Sequence, residues 1–237
     1  MKGVLRWLGL VLCAFVALQL FFVLRIAAMA VLAPESTTFQ RSEAWAQLSA
    51  TGQVRWRQQW MPYGEIADTL KRAVIASEDD GFANHDGVDW NAIEQAWERN
   101  AKAEARAQKT PSRPPKIRGG STITQQLAKN LLLSGERTLL RKGQELVLTM
   151  ALELLLSKQR ILEIYLNSVE WGNGVFGAEA AAQHYFRKSA ARLTAAEAAR
   201  LAVMLPAPKR FEKTPGSAYL AGRTQTILAR MGSAELP

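Results

Sequence analysis

Within the twelve residues Ala76–Gly87, ASEDDGFANHDG, the chain places Glu78, Asp79, Asp80 and His85, with Phe82 and Gly87 between and after them. Acids this dense are seldom merely structural. A glutamate at the end of an apolar helix is partly withdrawn from water, which raises its affinity for a proton and suits it to general-base work. Taken alone, the same residue could equally close a helix on a solvated face.

A second block, RGGSTITQQLAKN (Arg118–Asn130), joins two glycines to a run of hydroxyls and amides. Gly119 and Gly120 let the backbone come close to a ligand. Ser121, Thr122, Gln125 and Gln126 can bond phosphate or sugar oxygens near a helix N-terminus, where the dipole favours anions. No GK[ST] follows the glycines, so this is not a Walker loop. Ser121 and Thr122 can also serve simply as caps. Lys129 adds a cation about one turn further on, and RTLLRKGQE (Arg137–Glu145) adds Arg137, Arg141, Lys142 and Glu145. Arg141 and Glu145 stand four apart, the spacing of an ordinary surface pair worth a few tenths of a kcal/mol. The two histidines, His85 and His184, form no H-E-x-x-H pattern, and the single cysteine is Cys13, so neither a catalytic zinc nor a cysteine-based metal site is expected.

These blocks fall in a recognisable order: ED-x-x-F-x-x-H-x-G (Glu78–Gly87), G-x-STITQQ (Gly119–Gln126), RK-x-x-E (Arg141–Glu145) and K-x-x-ILE-x-YLN (Lys158–Asn167). From about Glu65 to Phe211 the chain resembles the family 51 peptidoglycan glycosyltransferases. The resemblance implies a mainly α, lysozyme-like, two-lobed domain that polymerises lipid II into β-1,4-linked glycan strands. In that reaction the growing chain donates its lipid-diphosphate-linked sugar carbon, the linkage inverts, and undecaprenyl diphosphate leaves. Glu78 is implied as the base that takes the proton of the acceptor hydroxyl. Asp79 is implied as a supporting, substrate-side group, with Phe82 and His85 positioning the loop rather than reacting. Lys129, Arg137 and Lys142 match positions that contact the diphosphate. Glu145 is then the second catalytic carboxylate, orienting Lys142 and Arg137 or a divalent cation, Mg or Mn, although no cofactor is obligatory. Two residues after Lys142, where some members carry another basic residue, this chain has Gln144, which leaves the cation set one short.

The elements that must position these groups read as helices. Glu65–Ser77 carries Ile66, Leu70, Val74 and Ile75 at close to helical spacing after the turn Pro62-Tyr63-Gly64. Trp90 to about Gln108 follows, with Asp89 placed to cap it, and its distal AKAEARAQK has no apolar face. TPSRPPKIRGG, with three prolines and two glycines, reads as a mobile basic loop. Thr122 and Gln125 have capping-box spacing for a helix running through Gln126 to Leu133, and helices over Thr138–Leu156 and Lys158–Leu166 meet near Ser157. Thr194-x-x-Glu197 repeats the capping signature before a helix that Pro206 ends. Only Gln53–Trp60 looks strand-like, and ILEIYLNSVEWGNGVFGAEAAAQHYF reads as core and turns.

Trp7–Leu24 holds eighteen residues without a charge, and apolar character resumes after Arg25 through Ala33, long enough for a tilted membrane span. Lys2 and Arg6 before it predict the amino end, residues 1–6, in the cytoplasm and the domain 34–237 outside, on the periplasmic side of the inner membrane. Ala28-Met29-Ala30 resembles a signal-peptide cleavage site, but the apolar run is longer than an ordinary signal core. Arg25 must snorkel toward the outer interface. The net charge of +9 suits an anionic partner, and for a membrane-held domain that partner is lipid head groups and lipid diphosphate rather than nucleic acid. Lipid II, the growing glycan and membrane lipid are the expected partners, with cell-wall synthesis or division proteins as further candidates. The S-x-x-K and K-T-G set of a penicillin-binding domain is missing, so a monofunctional enzyme is expected. A lytic muramidase would also want a glutamate in a cleft, yet has no need of Lys129, Arg137 and Lys142. A membrane scaffold would explain the anchor and charge but not the order of acids, amides and cations.

Overall fold

The structure, a computed structural model, describes residues 2–109, 120–133, 135–136 and 138–237, with the backbone alone for 106–109. The basic loop 110–118 and Arg137 therefore lie outside the described residues. The chain is mainly α. Helix α1 (Lys2–Ala28) is the apolar N-terminal segment and is long and apolar enough to cross a membrane. Helix α2 (Thr38–Thr51) opens on a capping box between Thr37 and Gln40 and stops at Gly52, whose φ of 69° is the left-handed closure common at helix ends.

The expected strand shrinks to β1 (Arg57–Gln58), and the helix expected from Glu65 starts later. Tyr63–Glu65 form a 3-10 turn, and Ala67 N–H bonds the carbonyl of Ala190 at 3.3 Å instead of joining a helical ladder. Helix α3 (Asp68–Glu78) then runs to the first motif and ends on it. Helix α4 (Trp90–Lys109) is capped as its sequence suggests, with Ala92 N–H donating to Asp89 Oδ1 at 2.8 Å. Helix α5 (Ile123–Leu132) carries the Thr122/Gln125 capping box. Helices α6 (Leu139–Leu155) and α7 (Lys158–Ser168) are separated at Ser157, whose side chain caps α7.

Beyond α7 the chain makes β2 (Glu170–Gly172) and β3 (Val175–Phe176), strands that the sequence reading placed among core and turns. Strand β3 lies between its partners, parallel to β1 with Arg57 opposite Val175, and antiparallel to β2. Gly177 follows at φ 83°, where a Cβ would stand 2.6 Å from the Asn167 carbonyl oxygen, so only glycine fits. Helices α8 (Ala178–Phe186), α9 (Ala195–Met204, boxed by Thr194 and Glu197), α10 (Pro208–Lys213) and α11 (Ala218–Arg230) complete the fold.

Two helix groups share one continuous core: α3 packs on α9 and α11, while α5 packs on α2, α6 and α7. Ile26, near the C-terminal end of α1, and Met29, just beyond it, are buried in that same core. Arg160 of α7 donates to the carbonyls of Met29, at 2.7 Å, and Leu32, at 2.8 Å, satisfying acceptors that the end of α1 leaves open. Leu220, Ile227 and Met231 extend the core past the stretch of motif resemblance into α11.

Asn167 joins the central α7 to the approach to α3. Its amide copies a strand pairing, with Oδ1 accepting from Met61 N–H at 2.8 Å and Nδ2 donating to the Met61 carbonyl at 2.8 Å. Asn167→Ala should leave both buried Met61 groups unpaired and lower unfolding free energy by about 2–4 kcal/mol. Urea unfolding followed by circular dichroism checks this, and an unchanged midpoint would contradict it.

Candidate active site

Glu78 is the last residue of α3 and half-buried. Gln126 Nε2 donates to its Oε2 at 3.1 Å and Ser77 Oγ to its Oε1 at 3.3 Å. Burial pushes its carboxyl above the usual range; the bonds from Gln126 and Ser77 oppose that, the charge of Asp79 adds to it, and Arg223 opposes it. Gln126 is itself oriented, because the Tyr165 hydroxyl donates to its Oε1 at 3.0 Å and so turns its NH2 toward Glu78. Tyr165 lies in the buried core, and burial, followed by the charges of Glu78 and Asp79, holds its phenol well above its ordinary value, so it stays a donor.

Asp79 is buried and turned away from Glu78 into the protein. Its Oδ2 accepts from Ile123 N–H, the first residue of α5, at 2.9 Å, and its Oδ1 lies 2.9 Å from His85 Nε2. His85 Nδ1 accepts from Gly87 N–H at 3.1 Å, which places the ring proton on Nε2, facing Asp79. Gly87, at φ 83°, packs so closely that a Cβ would meet Glu153 and Thr149 side-chain atoms at 2.8 Å. Its carbonyl accepts from Thr122 Oγ1 at 2.6 Å. The first amide of α5 is thus taken by Asp79 within the protein. Thr122 and Gln125 are likewise buried and committed to the cap, since Thr122 Oγ1 accepts from Gln125 N–H and Gln125 Oε1 from Thr122 N–H, both at 3.1 Å.

Glu78, Asp79, Gly120, the exposed Ser121 and Thr122 line one cavity of about 340 Å³ between α3, α4 and the start of α5. Gly120 allows that approach, for a Cβ there would lie 3.3 Å from the Ala92 carbonyl oxygen of α4. Arg99 and Arg230 complete the wall, and Arg230 donates to Asp80 Oδ2 at 2.9 Å. Arg223 and Arg230 were outside the motif blocks; they stand seven apart on α11, two turns that put both on the face toward the acids.

The second carboxylate lies on α6. Glu145 is buried at 3% exposure, so it is no solvated surface partner. Arg141 donates to its Oε2 at 2.9 Å and Lys142 Nζ bonds its Oε1, which leaves Lys142 half-exposed and Arg141 with a buried Nε–H that has no partner among the described residues. Lys129 and Arg141 line a second cavity, of about 300 Å³, with Glu43 and Asn130. Arg141, read from spacing as a helix-surface pair, thus joins the cation group, while Arg137 is outside the described residues. Among the described residues no three acidic, histidine or cysteine side chains gather as a metal site.

A family model described as Transglycosylase matches residues 45–232. A protein named biosynthetic peptidoglycan transglycosylase from Burkholderia thailandensis is 54% identical over 240 aligned positions, covering 100% of this chain and 90% of its own length. Proteins of the same name from Paraburkholderia xenovorans and Herminiimonas arsenicoxydans are 52% and 51% identical, covering 99% and 100% of this chain and 95% and 99% of theirs.

Because burial raises the Glu78 carboxyl, its ionisation favours unfolding: the stability it contributes is complete below the unfolded-state value and is lost as pH rises through the folded one. Glu78→Gln should therefore raise the thermal midpoint at neutral pH. The gain should fade as pH falls into the ordinary carboxylate range. Scanning calorimetry across that range checks the sign, and a variant less stable than the wild type at neutral pH would contradict it.

Proposed function

On the premise that this chain belongs to the transglycosylase family, we propose that it polymerises lipid II into β-1,4-linked glycan strands for cell-wall peptidoglycan. Glu78 carries the reading: a half-buried carboxylate with raised proton affinity, held at one edge by Gln126, opens on a cavity large enough for sugar. Its free lone pairs take the proton of the acceptor hydroxyl as that oxygen attacks the lipid-linked sugar carbon of the growing chain. Attack from the side opposite the diphosphate inverts the linkage, and one base with a stabilised leaving group suffices without a covalent enzyme intermediate.

The leaving undecaprenyl diphosphate gains negative charge as the sugar bond breaks. Lys142, Arg141 and Lys129 supply fixed cations for it, with Glu145 setting the first two in place. The unpartnered Arg141 Nε–H offers a further donor to a phosphate oxygen. A divalent cation at this point would need open carboxylate oxygens, whereas both oxygens of Glu145 are held by cations, so the described donor set does not fit one. Ser121, exposed on the first cavity, is placed to bond substrate oxygens. Helix α1 is read as a single membrane anchor, with Lys2 and Arg6 on the cytoplasmic side and the catalytic domain on the periplasmic face of the inner membrane, where lipid II is presented.

Purified full-length protein incubated with labelled lipid II should yield polymer that muramidase digests. No polymer, or shortening of preformed glycan, would overturn the reading. Glu78→Gln keeps the shape of the side chain but cannot take a proton, and should lower turnover roughly 10²- to 10⁴-fold. A rate within tenfold of wild type would remove Glu78 as base. Lys142→Ala should cost about 2–4 kcal/mol of transition-state stabilisation in kcat/KM, and Lys142→Arg should restore only part of it. Unchanged kcat/KM for the alanine variant would place the diphosphate elsewhere.

A further inference from the structure

Gln19 is the one amide in the charge-free run Trp7–Leu24. Its side chain meets Gln144 of α6 in a reciprocal pair: Gln144 Nε2 donates to Gln19 Oε1 at 2.9 Å and Gln19 Nε2 to Gln144 Oε1 at 3.3 Å. Gln19 is also partly covered where its neighbours in α1 are exposed. It lies nine residues before the end of α1, about 13 Å along the axis at 1.5 Å per residue. With α1 spanning the bilayer, a position this near its domain end lies toward the membrane surface, where water is scarce, an unpaired amide is costly and a reciprocally paired one holds two helices in a single rotation.

Helix α6 is suited to reach that depth. Leu140, Val147 and Leu154, at seven-residue spacing, are exposed along it, so an apolar stripe runs beside the contact with α1. On the same helix, two residues before and one after Gln144, stand Lys142 and Glu145. Position 144 is where some members of the resembled family carry a further basic residue. A cation there could only donate to Gln19, whereas the amide both donates and accepts.

We propose that Gln19 is a positioning residue for the reaction: by locking onto Gln144 it fixes the depth and rotation of α6 and thereby the placement of Lys142 and Glu145 against the leaving diphosphate. The anchor is then part of the site's geometry as well as its tether. This rests on the reading of α1 as a membrane span and of Lys142 and Glu145 as the diphosphate site.

The full chain reconstituted in phospholipid vesicles tests it in two arms. In a Cys13→Ser background, Gln19→Cys with Gln144→Cys should be joined by a short bis-thiol cross-linker, and failure to cross-link would overturn the contact. In the kinetic arm, Gln19→Leu and Gln144→Leu each strand one amide. Each should lower kcat for lipid II polymerisation about five- to tenfold with a smaller change in KM, and the double leucine variant should be no worse than the poorer single. Single variants within twofold of wild type, or losses that multiply in the double variant, would overturn the positioning role. Wild-type protein without polymer in the same vesicles would instead overturn the function reading, and the cross-linking arm would still decide the contact.

Discussion

Asp79 is the neighbour of the proposed base, yet its own carboxylate points inward, buried, with one oxygen on the first amide of α5 and the other on His85. A buried carboxylate is tolerable only when its oxygens are bonded, and here an oriented helix N-terminus and a ring N–H share the charge. The rest of the site hangs on that arrangement. The bond to Ile123 brings α5 against the end of α3, which puts Gln126 beside Glu78. The bond to His85 closes the loop that carries Gly87, whose carbonyl receives Thr122. The two acids of the ED pair thus differ in setting: one is bonded at a helix start, the other is half-buried and faces a cavity.

The cation site has its own organising acid. Glu145, buried on α6, gathers Arg141 and Lys142 and leaves part of each available. Lone surface pairs contribute little, but a buried acid that aligns two cations fixes where positive charge stands before any substrate arrives. The two carboxylates lie on different helices, α3 and α6, from the two helix groups, while α7, packed on α5 and α6, supplies Tyr165 to orient Gln126 and Lys158 to pair with Glu153 at 2.8 Å.

The apolar helix α1 is similarly woven into the domain. Ile26 and Met29 are buried in the core, Arg160 closes the carbonyls just past its C-terminal end, and Gln19 reaches α6.

The four motif blocks, the apolar N-terminal run and the Thr122/Gln125 and Thr194/Glu197 capping boxes were legible in the sequence, because each depends on residues only a few positions apart, where periodicity and short-range hydrogen bonding act. The helical class and the family followed from them. What stayed hidden depended on residues distant in the chain. That Asp79 bonds the first amide of α5 follows from a contact made forty-four residues along the chain. Strand β1 at Arg57 finds its partner β3 more than a hundred residues later, at Val175. Arg141 ceases to be a surface pair only once α6 is buried against its neighbours, and Gln144 finds its partner 125 residues earlier. Burial decides which polar side chains must bond one another and which remain free for substrate, and burial is set by the tertiary fold.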